Sequence, residues 1–140
     1  MKRKLQASVL AFIILFGGGM LSAQAAHAED VGTMPSGCSI SSGTPYASGA
    51  YVKWTGSGYC NATNINNFVA RLVHNYDGLP DVRVATVYSS PANRPNYSAT
   101  GTTCDGGGTT QYYNESGYYR SAANGGDVIR TSSQVTLTHC

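Results

Sequence analysis

Four cysteines constrain this chain more than any other feature: Cys38, Cys60, Cys104 and Cys140 all lie downstream of an N-terminal segment with the character of an export signal. Thiols carried to an oxidising compartment pair, and small exported domains lean on such staples because they bury little apolar surface. Four cysteines allow three pairings, and their number does not choose among them. Cys38 with Cys60 and Cys104 with Cys140 is the favoured set, since each loop then closes between neighbouring strand candidates and pins one end of the ordered domain. Each such loop stabilises by about 3–4 kcal/mol in the loop-entropy account, comparable with the total stability of a small domain. No two cysteines are spaced like a zinc knuckle, so they are not expected to hold a metal.

The export signal is read from the first 28 residues. Lys2, Arg3 and Lys4 make a cationic start, and the uncharged run from Leu5 to Ala26 has Val9 to Phe16 as its apolar centre. Ala26-His27-Ala28 supplies the small-x-small pattern of a cleavage site, placing the cut after Ala28, with Ala25 as the alternative. A retained membrane anchor is the rival reading, because the uncharged stretch is about long enough to span a bilayer. The expected organisation is a signal peptide over 1–28, a flexible leader over 29–37 and one disulfide-stapled β domain over 38–140. The expected location is secreted and extracellular, with no membrane attachment after cleavage.

Removing the signal also removes three of the nine cations. Six Lys and Arg then face seven Asp and Glu, so the remainder is close to −1. Lys53, Arg71, Arg83, Arg94, Arg120 and Arg130 are scattered along the sequence, which argues against capture of nucleic acid or anionic lipid. Roughly 110 residues suffice for one domain with a modest core. They are rich in Gly, Ser, Thr, Asn and Tyr and poor in Leu, Lys and Glu, the reverse of what long helices need. Strands separated by turns fit that composition.

Periodicity places several of those strands. Over Ala50 to Thr55, Val52 and Trp54 point one way and Tyr51 and Lys53 the other, the alternation of a half-buried strand; Trp54 is expected in the core beside a disulfide. Asn67 to Tyr76 fits helix or strand, and strand is preferred because Asp77-Gly78 and Pro80 turn the chain into Val82 to Tyr88, completing a hairpin. Phe68, Leu72, Val82, Val84 and Val87 are then core positions. Pro91 to Pro95, with Asn93 and Arg94, marks a surface loop or sheet edge. Later strands follow over Gln111 to Ala122, Val128 to Arg130 and Gln134 to Cys140. Six or seven short strands with regular turns predict an all-β fold: a small immunoglobulin-like antiparallel β-sandwich with two disulfides.

Three stretches also carry a resemblance. A strand with Trp54 ahead of Cys60, the hairpin containing Arg71-Leu72-Val73 and Pro80 to Ala85, and the closing run from Ser132 to Cys140 resemble small two-disulfide exported proteins of Gram-positive bacteria. The resemblance covers most of the chain beyond the signal. It implies a β-sandwich and export, and it brings no catalytic motif.

Few residues offer chemistry. His74 lies near Asp77 and Asp81, and serines abound, so a Ser-His-Asp arrangement is arithmetically available; no nucleophile elbow singles out a serine. Asp77 and Asp81 flank a turn that they are expected to cap, rather than to bind calcium, whose loops need more oxygen ligands. Asp105 precedes three glycines without the Gly-Lys-Ser/Thr of a phosphate loop. Asn61, Asn96 and Asn114 open glycan-acceptor triplets that a bacterial signal makes incidental. No cofactor and no metal is implied.

The tyrosines are the most suggestive feature, because Tyr is stiff and amphipathic and suits contact with proteins or sugars. Neighbours in a strand face opposite sides, so one of Tyr112 and Tyr113, and one of Tyr118 and Tyr119, is expected to face solvent, joined by Tyr51 and Tyr97. With Arg94 they form the expected binding surface. The leading functional expectation is a non-enzymatic, monomeric binding module for an extracellular protein or a cell-wall glycan. The alternatives are a secreted antagonist, toxin or enzyme inhibitor, and a small hydrolase.

Overall fold

The computed structural model describes residues 29–140 apart from Asp77 and Gly107. The signal-peptide assignment, and the roles weighed for Asp77, lie outside the described residues.

Two antiparallel sheets stack face to face. The smaller has β3 (Tyr51–Tyr59) at its centre, with β6 (Asn96–Thr103) along one edge and β1 (Ser39–Ser42) and β2 (Tyr46–Ser48) end to end along the other. The larger runs β5 (Val82–Ser89), β4 (Asn67–Asn75), β7 (Gly108–Tyr119), and then β8 (Val128–Thr131) and β9 (Val135–His139) share the far edge of β7. Antiparallel pairing throughout and two disulfides match the expected sandwich. An immunoglobulin domain sets its bridge between the sheets beside the buried tryptophan. Here Cys38–Cys60 joins the start of β1 to the end of β3 within one sheet, and Cys104–Cys140 ties the ends of β6 and β9 across the sandwich.

The core lies where alternating residues of both sheets meet. Val52 and Trp54 of β3 point inward, as their period demands, and the Trp54 indole N–H donates to the Ala70 carbonyl at 3.3 Å. Gly101 sits opposite Trp54 in the register, and a Cβ there would run into the indole ring, so the pair needs glycine on β6. Phe68, Tyr97 and Tyr118 pack as a trio, with ring centroids 5.2 to 5.9 Å apart. Fully burying a side chain of Phe size stabilises by about 1.5–3 kcal/mol.

Three expectations need correction. Val82 is half exposed, because it forms the last pair of β4 and β5, opposite His74 at the open end of the sheet. Val84 and Val87 are only partly buried against the core, whereas Phe68 and Leu72 are its centre. Order also begins ahead of Cys38: the backbone of Val31 pairs with Ile129, and Asp30 accepts from the Thr131 N–H at 3.0 Å, so this part of the expected leader is docked on β8.

Candidate binding face

On β3 the inward run of Val52, Trp54 and Gly56 forces Tyr51, Lys53, Thr55, Ser57 and Tyr59 onto the opposite, solvent side. The register extends that side across the sheet. Tyr46 lies opposite Lys53, Thr100 opposite Thr55, Ser41 and Ser98 opposite Ser57, and Asn96 opposite Tyr59. The outcome is an open surface of hydroxyl and amide side chains with Lys53 as its one charged group among these positions. Thr55 and Thr100 hydroxyls hydrogen-bond at 3.0 Å, fixing their rotamers while each keeps capacity for a further partner.

Aromatic rings stand at both ends of this surface. Tyr46, Tyr51 and Tyr59 are 51%, 50% and 44% exposed, far more than packing residues would be. Tyr51 and Tyr59 are separated by the length of β3, about 26 Å at ~3.3 Å per residue. The Tyr59 hydroxyl accepts from the Asn61 side-chain amide at 3.0 Å, which steadies the ring against Asn96 and a shallow depression lined by Ser39, Ser41 and Ser57.

The expected tyrosine surface is therefore only partly the surface found. Tyr51 belongs to it. Tyr97 and Tyr118 are core residues, and the Tyr118 hydroxyl donates to the Ser39 carbonyl at 2.8 Å. Tyr112 and Tyr113 are both buried, contrary to the expectation that one of them faces solvent. Tyr112 points into the sandwich and donates to Asp105 at 2.5 Å. Tyr113 points outward and donates to Asp81 at 2.7 Å, in a depression walled by Val73, Val82, Arg83 and Glu115. Tyr119 is partly covered by the Arg71 guanidinium, 4.9 Å from its ring centre. Arg94 is exposed beside the 3-10 turn Pro91–Asn93, close enough to Tyr97 for its charge to act on that phenol.

Burial pushes the phenols of Tyr112, Tyr113 and Tyr118 well above the usual tyrosine range, reinforced by the Asp105 and Asp81 hydrogen bonds at the first two. Burial also raises Tyr97, partly offset by the positive charge of Arg94.

Two further groupings appear. His74 meets Asp105, with Nδ1 3.7 Å from Oδ2, and stacks on Tyr76; Asp81 is engaged instead by Tyr113 and by the Tyr76 N–H. Asn114 is fully buried, so its triplet offers no acceptor, while Asn61 and Asn96 are exposed. Tyr46 and Tyr59 were missed by the sequence reading. Tyr59 was within its reach, since it continues the outward alternation of Tyr51 and Lys53; Tyr46 needed the register of β2.

No family model, curated protein or solved structure matches this chain.

Proposed function

We propose that this protein is a secreted, non-enzymatic binding module that holds a neutral extracellular or cell-wall glycan along the outer face of its smaller sheet. The observation that carries the reading is the set of three exposed tyrosines, Tyr46, Tyr51 and Tyr59, bounding a Ser/Thr/Asn surface with almost no charge. Sugar rings present apolar C–H faces, which stack on phenol rings, and hydroxyl rims, which exchange hydrogen bonds with Ser, Thr and Asn. Tyrosine loses little side-chain freedom on being covered. The length of the face suits a chain-like ligand better than a single small molecule. The two disulfides support export, because thiols persist in that form in oxidising compartments.

Retention on insoluble neutral polysaccharides tests the reading. Folded protein is expected to bind at least one of them, and Tyr51→Ala or Tyr59→Ala is expected to weaken binding about tenfold or more, in line with losing an aromatic contact at a recognition surface. Unchanged retention in the double variant sinks it. The antagonist alternative would act through the exposed Pro91 to Pro95 loop, and growth inhibition by the purified protein that depends on Arg94 would favour it instead.

A further inference from the structure

The smaller sheet ends on β6, which pairs with β3 on one side and with no other strand among the described residues. Which of its backbone groups face the unpaired side follows from β3. The Thr55 carbonyl accepts from the Gly43 N–H at 2.9 Å, so the Thr55 backbone points away from β6, and the Thr55–Thr100 pair exchanges no backbone bonds. The Cys60 N–H, which donates to the Pro95 carbonyl at 2.8 Å, keeps the same phase. Antiparallel pairs alternate, so Tyr97, Ala99, Gly101 and Thr103 bond to β3. Asn96, Ser98, Thr100 and Thr102 turn their N–H and C=O groups outward along the edge. Exposure follows the same alternation: Asn96, Ser98, Thr100 and Thr102 are exposed, and Tyr97, Ala99 and Gly101 between them are buried.

Nothing blunts this edge. β proteins guard exposed edges with charge, proline, bulges or short strands. β5, the neighbouring edge in the larger sheet, carries Arg83 and a register shift opposite Leu72 and Val73, and the other flank is made of short pieces. β6 runs for 8 residues in unbroken register with β3, and its sequence holds neither a charged residue nor a proline.

We propose that a second copy of this chain occupies the edge, with β6 antiparallel to β6 of the partner about a two-fold axis at Ala99. Satisfaction of the edge groups fixes that register. Ser98 opposite Thr100 of the partner subunit, and Asn96 opposite Thr102 of the partner subunit, use every N–H and C=O that each copy turns outward; a slip in either direction leaves end groups unmet. The central residues Ala99 and Gly101 are small, so no bulky side chain opposes the approach. No like charges meet within the strands. Just past them, the exposed Arg94 end of each copy comes to the Asp105 end of the other, a match of opposite sign. Pairing one patch with itself closes the assembly at two copies. The dimer stands independently of what the outer face of its joined sheets binds.

Sedimentation and amide hydrogen exchange test this on the oxidised protein at about 10 μM and about 1 mM, which bracket a dissociation constant of about 0.1 mM. Expected are a mass that rises from one copy toward two, and exchange at Asn96, Ser98, Thr100 and Thr102 slowed about threefold or more at the higher concentration. Tyr97, Ala99 and Gly101, already bonded to β3, should show no such change. Ser98→Pro removes one edge N–H and no bond to β3, so it is expected to keep the folded circular dichroism and to raise the dissociation constant about tenfold or more. Ser98→Lys, which sets two like charges diagonally across the axis, should weaken the dimer equally and keeps the test decisive if proline disturbs folding. A constant mass across the range, protection that rises on β5 instead of β6, or a dimer that survives Ser98→Lys overturns the proposal.

Discussion

Asn114, in the middle of β7, donates from its side-chain amide to the carbonyl oxygen of Gly43 at 3.1 Å, joining the two sheets through residues 71 positions apart. The same amide donates to Thr55 at 2.9 Å, and the Asn114 carbonyl accepts from Ser42 at 2.7 Å. On the other side, the Asn114 N–H donates to the Ser132 hydroxyl and its carbonyl also accepts the Ser132 N–H, both at 2.9 Å. Gly43 lies where β1 gives way to β2, and Ser132 where β8 gives way to β9. One buried residue therefore supplies partners at the breaks in both edges.

Asn114→Ala is expected to cost about 2–4 kcal/mol, since it strips the partner from a covered carbonyl and leaves a void. Urea unfolding reads it directly: the midpoint should fall while the slope stays near that of the parent. A loss below about 1 kcal/mol would show that water or backbone adjustment replaces the amide.

Stability should decline in alkali. Tyr97, Tyr112, Tyr113 and Tyr118 all have phenols held above their ordinary range by burial. A raised value in the folded state means that unfolding releases protons once pH passes the unfolded value of about 10. Their contribution is complete below that pH and drains away above it. The buried four should ionise only together with unfolding, as a late rise in tyrosinate absorbance that coincides with the loss of folded circular dichroism. A single smooth titration with intact folded circular dichroism would contradict this.

Limited reduction should open the two bridges in order. Cys104 is exposed and Cys140 partly so, whereas Cys60 is fully buried and Cys38 partly covered. Thiolate attack needs access to sulfur, so mild reductant without denaturant is expected to release Cys104 and Cys140 first, as read by alkylation and mass mapping. Earlier release of Cys38 and Cys60 would reverse the expected order.

Much of the architecture was legible because alternation reports directly on a two-layer fold. Val52 and Trp54 announced β3, and Phe68 and Leu72 announced β4 once the Gly78 to Pro80 turn was recognised. The disulfide pairing followed from strand adjacency. Legibility failed where a face was assumed wet. Tyr113 points away from the core, yet it is buried in a depression walled by Val73, Val82, Arg83 and Glu115. The exposure of Val82 turned on its place at the end of the β4–β5 pairing, which leaves no mark in hydrophobic period. The convergence of Arg71 and Arg83 on Glu115 was hidden for the same reason: cations that are scattered in sequence meet only through pairing register.

The breaks beside Gly43 and Ser132 have a consequence for behaviour at high concentration. Because that flank of the sandwich is assembled from β1, β2, β8 and β9, none longer than five residues, it exposes no long ribbon of unpaired amides on which another copy could template itself. Short, interrupted borders are one way that β proteins resist fibril growth, and here the interruption is built into the hydrogen-bonded interior.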